Sequence, residues 1–209
     1  MRHIQKLDTP DFFLEDTNAL THWGRYKEKK KLKKYILENE QNYLCCYCES
    51  KVAISGEQER DGTHLEHIKP KKVYTDLTFS YQNLVVSCQG TCYNEEGDNG
   101  RHSCGHKKED EYSEEKFLNP TTVEDIRDYF RYETVENERI TILPTDKSPL
   151  KAQYMIDILY LNDERLSKAR FTALKDFEEF GMMLEYDEVE ALLSEDLAFI
   201  STLRYEYGV

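Results

Sequence analysis

Apolar residues recur at helical spacing near both ends of the chain and at short, broken intervals between. In residues 19–42, Trp23 and Tyr26, then Leu32, Tyr35 and Ile36, are spaced near three and four, which predicts an amphipathic helix stopping at Asn42, with Gly24 able to delay its start. From Tyr43 to about residue 118 the apolar pieces shorten and are separated by Gly, Asn, Asp and Pro. An alternating piece, HLEHI, must end at Pro70, and an apolar run, NLVVSC, begins at Asn83. Residues 126–143 hold Tyr/Phe/Ile-rich runs around ENER and read as a hairpin. Beyond Pro149, Tyr154, Ile158 and Leu161, then Phe171, Leu174 and Phe177, then Val189, Leu192 and Leu193 predict two or three amphipathic helices, with Asp163 and Ser194 as caps. No internal repeat and no Gly-rich phosphate loop is present.

Composition narrows the class. The 209 residues fit one domain of about 150 residues with an appendage, or one elaborated domain. A charged fraction of 33% is high, but 15 Tyr among 12% aromatic residues is too rich for disorder. No apolar run approaches the roughly 20 residues that span a bilayer, and MRHIQKLDTPDFF lacks the apolar stretch of a secretory signal, so a cytoplasmic protein is expected. In that compartment six Cys are metal ligands or free thiols rather than a disulfide framework. The net charge of −13 is unevenly spread. Residues 1–108 carry 17 Lys/Arg against 16 Asp/Glu, whereas residues 109–209 carry 11 against 25. One part of the chain can therefore meet a polyanion, led by RYKEKKKLKK in the first helix, while the other repels it or meets a basic partner. The bland reading of that lysine run is a solvated helix face.

All six Cys and four of the six His lie in residues 43–118, a stretch with too few apolar residues to fold unaided. Cys45 and Cys48 form C-x-x-C, whose tight turn brings two thiolates to one tetrahedral Zn²⁺ at about 2.3 Å. Cys88, Cys92 and Cys104 are candidates for the closing pair. A thioredoxin-like motif would open a helix, and residues 49–62 supply none. Cys46 reads as a buried free thiol. Between the cysteine clusters, Glu66, His67 and Asn83 provide what hydrolysis of a phosphodiester requires: an oxygen ligand for a hard cation, a base near neutral pKa and an orienting group. A regular strand sends Glu66 and His67 to opposite faces, so a shared site requires the strand to finish there. His64 shares strand parity with Glu66 and reads as a donor to it. His3 and His22 are unclustered, and Trp23 reads as core.

The order C-x-x-C, E-H-I-x-P, N-L-V-x-S-C and C-G-H-K-K resembles the HNH nuclease family. The opening M-R-x-I-x-K, the Lys-rich helix with its tryptophan, the split Cys88 and Cys104, FLNP at 117–120 and ILYLND look like the subgroup associated with retrons and the Septu antiphage system, the PtuB type. The resemblance covers about residues 1–170. It implies an α+β fold, a zinc-stabilised ββα-metal core at 43–120 preceded by a basic helical segment at 1–42 and followed by an acidic, mainly helical extension at 121–209. It makes His67 the general base, Glu66 a ligand of a catalytic Mg²⁺ or Mn²⁺, and Asn83 the residue orienting hairpin and base. The closing ligand is His106 or Asn94. Choosing His106 makes QGTCYNEEGDNGRHS an insertion, with Cys45, Cys48, Cys88 and Cys104 as the structural zinc ligands; His102 is a zinc ligand if Cys104 is not. The implied activity is cleavage or nicking of DNA, in complex with an ATPase subunit of the PtuA type. The rivals are a non-catalytic zinc adaptor, which leaves Glu66, His67 and Asn83 unexplained, and an HNH nuclease directed at RNA or tRNA.

Overall fold

The computed structural model describes residues 1–52, 62–90, 103–181 and 186–209 and is a mixed α+β structure with two small antiparallel sheets. Helix α1 spans Asp11–Thr17 and α2 spans Lys29–Ile36. The helix predicted over 19–42 is thus shorter: Trp23–Arg25 form a 3₁₀ turn, and a wider π turn, Leu37–Gln41, follows α2. Packing decides this. Tyr26 is buried edge-on against Phe13 with ring centroids 5.5 Å apart, and Trp23 tilts onto Tyr26 at the same distance. Gly24 between them has no side chain to favour a helix. Asn42 ends the segment as expected, in the left-handed conformation (φ 52°) that Asn tolerates. Leu32 and Ile36, one turn apart, are fully buried, while Lys30, Lys31 and Lys34 are exposed.

Residues 43–52 double back. Leu44 bridges Lys51, the Cys45 N–H donates to the Ser50 carbonyl at 3.0 Å, and Glu49 closes the turn at φ 64°. Strand β1, Thr63–His67, pairs antiparallel with β2, Leu84–Cys88, Thr63 facing Cys88 and His67 facing Leu84. Both strands fall on the runs that the sequence singles out, and every residue of β2 is buried. Helix α3, Cys104–Lys108, comes next. A two-stranded ribbon is marginal alone. Here the cysteine loop, α2 and α3 cover it, and Gln41 fastens it: its amide donates to the carbonyls of Leu44 and Val86, both at 2.8 Å, and accepts the Val86 N–H at 2.8 Å. Its neighbour Glu40 is also buried, paired with Lys6 at 2.5 Å and accepting hydrogen bonds from the Tyr81 hydroxyl and the Leu7 N–H.

The hairpin expected in 126–143 is β3, Phe130–Val135, with β4, Arg139–Pro144, joined through Asn137 and Glu138 at positive φ. Among the described residues four helices follow: α4 (Pro149–Ile158), α5 (Glu164–Gly181), α6 (Tyr186–Leu192) and α7 (Ile200–Tyr207). Asp163 caps α5, its Oδ1 accepting the N–H groups of Arg165 (3.1 Å) and Leu166 (3.3 Å). Ser194 caps no helix; its hydroxyl donates to Asp196 at 2.5 Å, and α7 begins only after Phe199. Buried side chains from all three sequence segments, among them Ile4, Leu44, Val85, Ile140, Met155 and Leu203, belong to one hydrophobic cluster. Polar ties cross the same boundaries: Ile4 N–H to the Pro120 carbonyl (2.8 Å), Cys104 N–H to the Leu159 carbonyl (2.8 Å), and Ser201 N–H and hydroxyl to the Glu49 carboxylate (3.0 and 2.5 Å). Among the described residues no helix is long and apolar enough to cross a membrane.

Gln41 leaves the measurable signature. Gln41→Ala strands buried backbone groups of Leu44 and Val86, and by the cost of unsatisfied hydrogen bonds it should destabilise the protein by about 3 kcal/mol in denaturant unfolding. A loss within about 0.5 kcal/mol, the range of ordinary surface substitutions, would show that the ribbon does not depend on it.

Candidate metal and catalytic sites

The turn at 45–48, the end of β2 and the start of α3 converge. The Sγ atoms of Cys45, Cys48, Cys88 and Cys104 lie within 4.8 Å of one another, and all four residues are buried. Cys48 and Cys88 are 3.7 Å apart, too far for a disulfide and close to the roughly 3.8 Å edge of a sulfur tetrahedron with bonds of about 2.3 Å. These four cysteines could coordinate a metal such as zinc. Neighbouring groups orient two of the sulfurs: Cys45 Sγ accepts the Cys88 N–H at 3.3 Å, and Cys48 Sγ lies 3.1 Å from the Ser50 hydroxyl.

Electrostatics favours a cation there. Burial disfavours a Cys45 thiolate, but hydrogen bonds from Cys104, Cys46, Cys48 and Cys88 outweigh it and hold Cys45 well below the usual thiol range. Hydrogen bonds to Cys45, Cys48 and Cys88, together with burial, push Cys104 well above it. A divalent cation among the four sulfurs would favour their thiolate forms. Cys46 is buried outside this group, and burial raises its pKa.

Gly90 explains how Cys88 and Cys104 reach one site. Its φ of +63° and its contact with Ser103, whose N–H donates to the Gly90 carbonyl at 3.2 Å, join the two ends that flank residues 91–102. A Cβ at position 90 would overlap the Ser103 backbone. Cys92, Asn94 and His102 lie outside the described residues.

The second site is a cleft of about 340 Å³ beside the ribbon, into which Glu66, His67, His64, Gly105, His106 and Lys71 open. β1 stops at His67, as a shared site demands, and Pro70 prevents its continuation. Glu66 is held from both sides: Oε1 receives Lys108 Nζ at 2.8 Å and the Tyr47 hydroxyl at 3.2 Å, while Oε2 lies 3.4 Å from His64 Nε2. Burial raises its pKa, but His64 and Lys108 more than offset this, so the carboxylate stays ionised. Lys108 is itself buried and also donates to the His67 carbonyl at 3.2 Å.

The His67 ring is fixed by two contacts. Trp23 packs against it edge-on, centroids 4.6 Å apart, and Nε2 lies 3.0 Å from the Thr78 carbonyl. A carbonyl only accepts, so Nε2 carries the proton and Nδ1 keeps the lone pair. Burial lowers the pKa to about 4, which keeps the imidazole neutral around pH 7. Asn83 grips the chain two residues beyond, accepting the Lys69 N–H at 2.8 Å and donating to the Lys69 carbonyl at 2.9 Å. His106 lies at the same cleft with its ring 4.4 Å from that of His64.

The sequence singles out Glu66, His67, Asn83 and His106, and the structure gathers them around the hairpin and α3. It adds Tyr47 and Lys108, which only the fold brings to Glu66. His3 and His22 stand apart from both sites. Comparison with protein-family models and with curated proteins found no match for the chain.

Two substitutions separate the cysteines. Cys48→Ser should lower zinc from about one equivalent to less than half by elemental analysis, whereas Cys46→Ser should retain it. Gly90→Ala, with every ligand intact, should also lose zinc; retention of a full equivalent would mean that the Gly90–Ser103 contact does not set the spacing.

Proposed function

We propose that the protein is a metal-dependent endonuclease of the HNH kind that cleaves or nicks DNA. The observation that carries this reading is the neutral His67, its Nδ1 left as proton acceptor, beside the ionised Glu66 in one cleft. The succession of a β-hairpin, a short helix and a four-cysteine cluster supports it, as does the resemblance in motif order.

In this reading His67 Nδ1 takes a proton from water, and the oxygen attacks phosphorus in line with the departing oxygen. The Thr78 carbonyl fixes the tautomer, Trp23 fixes the ring, and Asn83 fixes the chain that follows it. A divalent cation such as Mg²⁺ or Mn²⁺, held by Glu66 and His106, would supply neutralisation of the charge on phosphorus and on the leaving oxygen. Glu66 suits such a group: it is ionised, turned toward the cleft, and backed by Lys108. Lys71 at the cleft and the exposed lysines of α2 offer contacts to the phosphate backbone.

The acidic residues 109–209 oppose unaided binding of DNA, which supports work within a complex, the partner being an ATPase subunit of the PtuA type. Most apolar residues of the helices there are buried or half-buried, but Leu150 and Phe180 remain 78% and 70% exposed.

The test is plasmid DNA, and separately RNA, incubated with the protein with and without Mg²⁺ or Mn²⁺, alone and with the ATPase. Metal-dependent cleavage of DNA is expected. His67→Ala should lower the rate at least about a hundredfold with zinc content unchanged, the usual contribution of a general base. Wild-type cleavage by that variant would refute the mechanism, and cleavage of RNA alone would move the substrate.

A further inference from the structure

His64 stands outside the proposed mechanism, yet its geometry is specific. Nε2 lies 3.4 Å from Glu66 Oε2. Two donors about 2.1 Å from one cation are separated by about 3.0 Å at an octahedral edge and about 3.4 Å at a tetrahedral one. Lys108 and the Tyr47 hydroxyl occupy the other oxygen of Glu66, which leaves Oε2 on the side of His64. Space is kept beside both atoms: a Cβ on Gly105 would lie 2.6 Å from His64 Nε2 and 2.8 Å from Glu66 Oε2. The β1 register places His64 and Glu66 on one face of the strand, and α3 brings Gly105 and His106 across it.

Building on the nuclease reading, we infer that His64 is a direct ligand of the divalent cation, forming with Glu66 and His106 a set of two imidazole nitrogens and one carboxylate oxygen. Among the described residues only the four cysteines close as a group of three or more ligand atoms within 4.8 Å, so His106 completes the set by turning about its own side-chain bonds. The donor set selects the chemical class of the ion. Two imidazoles favour a first-row transition ion such as Mn²⁺ or Ni²⁺ over Mg²⁺, which prefers oxygen ligands and retains its waters. The alternative is an ordinary hydrogen bond from His64 to Glu66, with His64 touching no metal.

The experiment uses the full zinc-loaded chain titrated with Mn²⁺, followed by calorimetry and by electron spin echo modulation, which registers nitrogen bound to Mn²⁺. Wild-type protein should bind one Mn²⁺ per chain, more tightly than Mg²⁺, with coupling from two imidazole nitrogens. His64→Ala, with zinc content and circular dichroism unchanged, should bind at least about tenfold more weakly and show coupling from one. If His64→Ala instead retains both couplings and full affinity while Glu66→Ala abolishes binding, the inference falls and the nuclease reading stands. If wild type binds no Mn²⁺ and cleaves DNA without added metal, both fall. His64→Gln should not restore the second nitrogen coupling; a restored coupling would also overturn the assignment.

Discussion

Four cysteine sulfurs drawn together from a tight turn, the end of a strand and the start of a helix set the geometry of everything around the cleft. The turn at 45–48, β2 and the start of α3 are buried together in the hydrophobic cluster, and a two-stranded ribbon is marginal on its own. Cys104 begins α3 and Cys88 ends β2, so the cluster sets where the helix meets the ribbon, and the Gly105 N–H to the Ser87 hydroxyl (3.1 Å) and Lys108 to Glu66 (2.8 Å) hold it across. Gly90 makes the approach possible, since any side chain there would strike the Ser103 backbone. The cleft is therefore a product of the cysteine cluster: Gly105 and His106, the two residues after Cys104, face His64 and Glu66 because the cluster fixes where α3 starts.

Charge is arranged around that geometry in two layers. Glu66 is buried and would be driven toward its neutral form, but buried Lys108 and His64 hold it ionised. Such a pair would be costly to break and gives little net stability, which suits a part whose value lies in a fixed carboxylate. His67 is treated oppositely, with burial keeping it neutral and one carbonyl choosing its tautomer. A carboxylate and a neutral imidazole, adjacent in sequence, thus occupy one cleft in different states.

The local parts of this arrangement were legible in the sequence. C-x-x-C announced the turn, HLEHI and NLVVSC announced the two strands, and Pro70 announced where the first must stop. Asp163 and the hairpin around ENER were readable for the same reason, since caps and turns are decided by neighbouring residues. What escaped depends on distance along the chain. Tyr47 and Lys108 reach Glu66 only after the cysteines converge, and Glu49 meets Ser201 only because α7 packs against the cysteine turn. α7 itself spans eight residues, with Ile200 and Leu203 its buried apolar anchors, too short a pattern to stand out. The first helix is shorter than its periodicity implies because Trp23 and Tyr26, which continue the pattern, pack as a turn rather than a helix.

X-ray absorption at the zinc edge of the purified protein addresses the cysteine constraint most directly, because it reports the ligands and not merely the presence of metal. Four sulfur scatterers at about 2.3 Å and no nitrogen are expected. A shell of three sulfurs and one imidazole nitrogen would contradict it, since it would replace one of the four cysteines by a histidine and remove the reason that α3 begins where it does.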